Sequence, residues 1–150
     1  MTMPQRVTIL VADDDADDRQ LTKEALAECR LANDIHFVND GQELLAYLRH
    51  EGTHTEEASP RPALILLDLN MPRMSGAEAL AEIKADSSLR HIPIVILSTS
   101  RTDTDIKSTY VLGASSYIAK PVTFDGLVRA LASLGQYWFE LVELPKETAR

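Results

Sequence analysis

The sequence predicts a doubly wound α/β domain, and three observations carry that prediction. Short apolar runs alternate with segments of helical spacing along the whole chain. The runs are near-continuous in Val, Ile and Leu rather than alternating apolar with polar, as expected of parallel strands covered on both faces. They also end abruptly in Asp, Ser, Thr or Lys, the polar residues that gather at the carboxyl edge of such a sheet.

Five strands follow in order. VTILVA at residues 7–12 is the first. IHFV at residues 35–38 is second and weaker, which suits an edge position. ALILLD at 63–68, PIVILS at 93–98 and SYIAK at 116–120 complete the set. Between them lie five helices. Asp17 and Asp18 precede a stretch in which Leu21, Ala25 and Leu26 share a face. Asp40 with Glu43 forms an N-terminal cap pattern ahead of Leu44, Leu45 and Leu48. Ser75 and Glu78 have capping-box spacing ahead of Leu80 and Ile83. Thr102 or Asp103 caps a helix carrying Ile106, Tyr110 and Val111, ended by Gly113 in a left-handed cap. Thr123 starts the fifth, with Leu127, Val128, Leu131 and Leu134 inward. Residues 50–62 are polar, contain two prolines and read as a long loop. The order βαβαβαβαβα, without repeats or an interdomain linker, predicts the doubly wound sheet. Residues 1–134 read as this one domain. Residues 135–150 read as an aromatic tail, too short for an output domain.

Bulk properties narrow the function. At 150 residues the chain can bury a real core, and 45% apolar with 25% charged residues is ordinary for a globular protein. A net charge of −8 disfavours nucleic acid and anionic membrane surfaces, both of which need clustered cations. Cys29 is alone, which suits a reducing compartment. The first apolar run is too short for a signal peptide and ends in aspartates, and nothing approaches membrane-spanning length, so the chain reads as cytoplasmic.

The strand ends point to chemistry. The first strand ends in Asp13, Asp14 and Asp15, the third in Asp68, the fourth in Ser98 and Thr99, and the fifth in Lys120 and Pro121. A parallel sheet brings these residues to one edge. Carboxylates so gathered repel one another and invite a cation, and an all-oxygen set suits Mg²⁺. With that charge neutralised, Asp68 can attack a phosphoryl group as a carboxylate nucleophile. Lys120 then pairs with the phosphoryl oxygens and Ser98 donates a hydrogen bond to one of them.

The strings ILVADDD, LLDLNMPRMSG, VILSTS and YIAKP, in this order and spacing, resemble receiver domains of two-component response regulators. The resemblance spans residues 7–134 and implies a flavodoxin-like (βα)₅ fold with strand order 2-1-3-4-5. By motif position it implies Asp68 as phosphoacceptor, and Asp13 and Asp14 as the metal-binding pair completed by Asp68 and the Asn70 carbonyl. It implies Ser98 as the switch hydroxyl, Tyr117 as the switch aromatic, Lys120 as the family lysine, and a cis bond before Pro121. Two positions depart from the common pattern: Ser98 where Thr is frequent, and Thr99 where Ala or Gly is frequent, the latter narrowing access. The long loop and the aromatic tail YWFELVELP further resemble single-domain regulators paired with phytochrome-type histidine kinases.

The resemblance implies a phosphorylation switch with slow self-dephosphorylation rather than a turnover enzyme. Its expected partners are a histidine kinase, an unknown downstream protein and a second copy in a homodimer. The tail residues Tyr137, Trp138, Phe139, Leu141, Val142 and Leu144 can fold back onto the fifth helix or dock on the kinase or a second copy; the expectation taken is a dimer contact alongside the fourth-helix and fifth-strand face. Plainer roles suit other residues: Asp15, Asp17 and Asp18 as helix caps, Cys29 in helix packing, and His36, His50, His54 and His91 on the surface.

Two rival readings fail. Asp13, Asp15, Asp17 and Glu24 match calcium-loop spacing, but Asp18 stands where that loop needs Gly, and a strand precedes it where a helix should be. A haloacid-dehalogenase-type phosphatase needs a second carboxylate two residues after the nucleophile, where Asn70 stands.

Overall fold

The computed structural model describes residues 8–29, 34–100 and 102–136. Strands β1 (Thr8–Ala12), β2 (Asp34–Val38), β3 (Leu64–Leu67), β4 (Ile94–Ser98) and β5 (Ser116–Ala119) alternate with helices α1 (Ala16–Cys29), α2 (Gly41–Leu48), α3 (Gly76–Ala85), α4 (Asp103–Val111) and α5 (Phe124–Gln136). The strands form one parallel sheet in the order β2-β1-β3-β4-β5. The weak second run is indeed an edge strand.

Because side chains alternate along a strand, each central strand feeds two cores. Leu10, Ala12, Ile65, Leu67, Ile94 and Ile96 pack toward α2 and α3. Ile9, Val11, Leu64, Leu66, Val95 and Leu97 pack toward α1 and α5. Fully burying each such Leu or Ile stabilises the fold by about 1.5–3 kcal/mol.

The caps of α2, α3 and α4 stand where the sequence puts them, while α1 is capped by Asp15, which accepts from the N–H groups of Asp17 and Asp18, rather than by those two. Asp40 accepts from the Glu43 N–H at 2.8 Å, Thr102 from Asp105, and Ser75 with Glu78 closes a capping box. Gly113 ends α4 with φ 108°. Thr123 accepts from Gly126, and α5 continues beyond Leu134 through Gly135 and Gln136.

Three details differ from the sequence reading. Leu21 is exposed, and Thr22 takes the inward place beside Ala25 and Leu26. In α4, Thr109 is the buried residue, while Tyr110 and Val111 face solvent. Three of the four histidines, His36, His50 and His54, are half-buried, and His50 and His54 hold the α2–β3 loop at Ser59. The His36 and His54 rings contact the Tyr47 ring at centroid distances of 5.7 and 5.6 Å, and His50 bonds the Ser59 carbonyl. The Tyr47 hydroxyl donates to the Pro60 carbonyl at 2.7 Å, and burial pushes its pKa above the ordinary phenol range. The aromatic tail lies outside the described residues. Among those described, no helix is long and apolar enough to cross a membrane.

Candidate functional site

The carboxyl edge of the sheet is built by hydrogen bonds that continue the strands. The Asp13 N–H donates to Val38 and the Asp68 N–H to Ala12, both at 3.0 Å, while the Lys120 N–H donates to Ser98 at 2.7 Å. These bonds bring residues 107 positions apart into contact. Gly76 makes the approach possible on the α3 side, since a Cβ there would lie 2.1 Å from the Asp68 carbonyl oxygen.

Asp13 is buried, with one carboxylate oxygen accepting from the Asp15 N–H at 2.9 Å and the other from Lys120 Nζ at 3.0 Å. Lys120 Nζ also meets Asp18 at 3.2 Å and Asp68 at 3.8 Å. Asp14 is exposed, yet carboxylate oxygens of Asp13, Asp14 and Asp68 lie within 4.8 Å of one another. Such an all-oxygen group fits a hard divalent cation.

The electrostatics agree. Burial raises the Asp68 pKa, and Asp13 and Asp14 raise it further against the opposing pull of Lys120 and the Asn70 N–H. The exposed Asn70 donates its N–H to the Asp68 carboxylate at 3.3 Å. Burial opposes the Lys120 charge, but Asp13, Asp68 and Asp18 outweigh it and hold its pKa above the ordinary lysine value. The ammonium is therefore retained at neutral pH.

Ser98 is fully buried at the end of β4, in register with Ala119, and accepts from the Ser100 N–H at 3.2 Å. Thr99 beside it is exposed. Tyr117 packs against the α2–α3 core, and its hydroxyl donates to the Ser100 carbonyl at 2.9 Å. Its ring thus ties β5 to the loop that begins at Ser98.

The Lys120–Pro121 bond is trans, contrary to the resemblance, since no cis peptide bond occurs among the described residues. A cis bond there would serve to aim the Lys120 ammonium into the site. The trans chain achieves this contact with Asp13, and trans is the lower-energy isomer for an X–Pro bond.

Sequence reasoning missed three features. Asp18, expected as a cap, instead lies inside the first turn of α1, donates its N–H to the Asp15 carboxylate and binds Lys120 through its own. Arg19 Nη1 donates to the Asp13 carbonyl at 2.8 Å. Both lie in the first turn of a helix that starts at the site edge, and that position was the available signal. Leu21, Val122 and Phe124 are exposed and, with Pro121, line a cleft of about 80 Å³ beside Lys120.

Comparisons with known proteins converge on one family. Residues 9–132 match the response regulator receiver domain. Response regulator Rcp1 of Synechocystis sp. (strain ATCC 27184 / PCC 6803 / Kazusa) is 38% identical over 142 residues, covering 95% of each chain. A Mn²⁺-bound form of Rcp1 superimposes with a TM-score of 0.83 over 93% of this chain and 99% of that one, at 36% identity. The phosphorylated cyanobacterial phytochrome response regulator RcpA is 39% identical with a TM-score of 0.87, over 95% of this chain and 100% of that one. Response regulator RPA3017, from red light signalling of R. palustris, gives 0.89 at 33% identity, over 94% and 99%. With the five-stranded order, the gathered carboxylates and these matches, the chain belongs to the response-regulator receiver family.

Proposed function

We propose that Asp68 accepts a phosphoryl group from a histidine kinase, in a site that works with Mg²⁺ held by Asp13, Asp14, Asp68 and the Asn70 carbonyl. The observation that carries the reading is the convergence of three carboxylates beside the Lys120 ammonium. A bound cation supplies charge neutralisation, allowing an anionic phosphoryl group to come near. An Asp68 carboxylate oxygen attacks phosphorus, the P–N bond to the kinase imidazole breaks as the new P–O bond forms, and the electron pair leaves on nitrogen. Lys120 balances the phosphoryl charge. Water later attacks phosphorus, releasing phosphate and restoring the carboxylate, so the protein is a switch with slow self-dephosphorylation.

Ser98 and Tyr117 relay the change: Ser98 turns to the phosphoryl oxygens, and Tyr117 follows, reshaping α4 and β5. Driving such an equilibrium from 1:99 to 99:1 takes about 5.5 kcal/mol of differential stabilisation. The exposed apolar rim at Leu21, Val122 and Phe124 supports a protein as phosphodonor. The likeness to regulators of phytochrome and red-light signalling supports a phytochrome-type kinase. A net charge of −8 supports a protein output rather than nucleic acid or membrane, and the lone Cys29 suits a reducing cytoplasm. We assign residues 1–134 to the receiver and the aromatic tail to a homodimer contact, together with the α4–β5 face.

Intact-mass measurement after incubation with a small phosphodonor and Mg²⁺ tests the acceptor. One phosphate should add to the wild type and none to Asp68→Asn. Base-labile labelling of the variant would move the nucleophile elsewhere.

A further inference from the structure

The β3–α3 loop carries Asn70, whose carbonyl completes the proposed cation site, and it is held at both ends. On the β3 side, the Gly76 N–H donates to Leu69 at 2.9 Å and the Asn70 N–H to Asp68. On the other side, the loop meets the first turn of α2. Arg73 adopts a left-handed backbone with φ 63°, which is uncommon for a residue with a side chain. Its guanidinium reaches Asp40 at 3.0 Å. Next to it, the Gly41 N–H donates to the Met74 carbonyl at 3.0 Å. A Cβ on Gly41 would lie 2.6 Å from that oxygen, so the contact requires glycine.

Asp40 is therefore more than a cap. One of its oxygens caps α2 through the Glu43 N–H, and the other faces Arg73. The Asp40 side chain is 2% exposed and that of Arg73 70% exposed, so a buried carboxylate grips an otherwise solvated cation. A surface pair of this kind adds little to stability, but a buried anchor fixes where its partner's backbone runs.

We propose that Asp40, Gly41 and Arg73 are positioning residues for the cation site: the α2 first turn clamps the β3–α3 loop and thereby sets where the Asn70 carbonyl stands. This rests on the reading of Asp13, Asp14, Asp68 and Asn70 as the cation's ligands. It couples α2, which contributes no ligand, to the affinity of the site.

The test is Mn²⁺ binding by the folded full chain, followed by electron paramagnetic resonance, with thermal unfolding measured in parallel. Replacing the partner of a metal ligand typically weakens binding about 10–100-fold. The clamp acts one step further away, so Arg73→Gln should weaken Mn²⁺ by about 3–10-fold, with Arg73→Lys restoring most of it. The sign is decisive. Deleting a cation near the site tightens Mn²⁺ binding if charge alone matters and weakens it if the clamp positions the loop. Asp40→Asn keeps the cap and loses the charge pair, and Asp40→Asn/Arg73→Gln should bind no more weakly than the worse single variant. Unchanged or tighter binding by Arg73→Gln, with or without a lower melting temperature, overturns the proposal. A wild type whose Mn²⁺ binding survives Asp13→Ala instead removes the ligand assignment beneath it.

Discussion

The two halves of the sheet are built differently. Around β3 and α3 the inward positions are tightly packed: all four β3 residues are buried, as are Gly76, Ala79, Leu80 and Ile83 of α3. At the other end, no residue of β5 is fully buried, and α4 buries Thr109 while leaving Val111 86% exposed. Asp68 sits on the packed half, and Tyr117 on the loose one. Chemistry needs carboxylates held to within fractions of an ångström, whereas a response needs elements with little to lose by moving. On the proposed function, the division of packing is a division of labour.

The contrast breaks most visibly under core truncation. Leu67→Ala, at a fully buried β3 position, should destabilise the domain by about 2–5 kcal/mol in urea unfolding. A loss below about 1 kcal/mol would deny the packed half its rigidity. The next effect is metal linkage. At 100 times its dissociation constant, Mg²⁺ should stabilise the wild type by about 2.7 kcal/mol, or roughly 5–10 °C, and Asp13→Ala should lose most of that.

A smaller shift of opposite sign is expected when Asp68, the proposed nucleophile, is neutralised. Burial, then the neighbouring aspartates, hold the Asp68 pKa above its ordinary value. The folded state therefore binds that proton more tightly than the unfolded one. Stability falls as pH rises from the unfolded pKa to the folded one, and the penalty remains above it. Metal-free Asp68→Asn should consequently melt higher than the wild type at neutral pH and equal it at low pH. A lower melting point at neutral pH would mean that the Lys120 pair outweighs burial. The smallest effect belongs to the loose half, where Val111→Ser should change stability by no more than about 0.5 kcal/mol.

Much of this was legible in the residues. Unbroken runs such as LILL can be buried only inside a covered sheet, and caps such as Ser75 with Glu78 follow from local chain geometry. Asp13, Asp68 and Lys120 were readable because a parallel sheet brings strand ends together whatever their separation in sequence. Contacts made by side-chain reach were not. Asp18 binds Lys120 across 102 residues, and the histidines grip Tyr47 and the loop through ring placement that no spacing encodes. Leu21 obeys the helical period yet faces solvent, because the period marks a face without saying what covers its rim. The expected cis bond failed for a related reason: the contact it was meant to secure is reached by the trans chain.

Hydrogen exchange resolved by segment, on the chain with and without a small phosphodonor and Mg²⁺, tests the central claim most directly. Phosphorylation at Asp68 should change protection in residues 102–119 while β1 and β3 stay as they were, and Asp68→Asn treated identically should show no donor-dependent change. Altered protection in the variant as well, or a response confined to α2 and α3, would contradict a switch that is charged on the packed half and read out on the loose one.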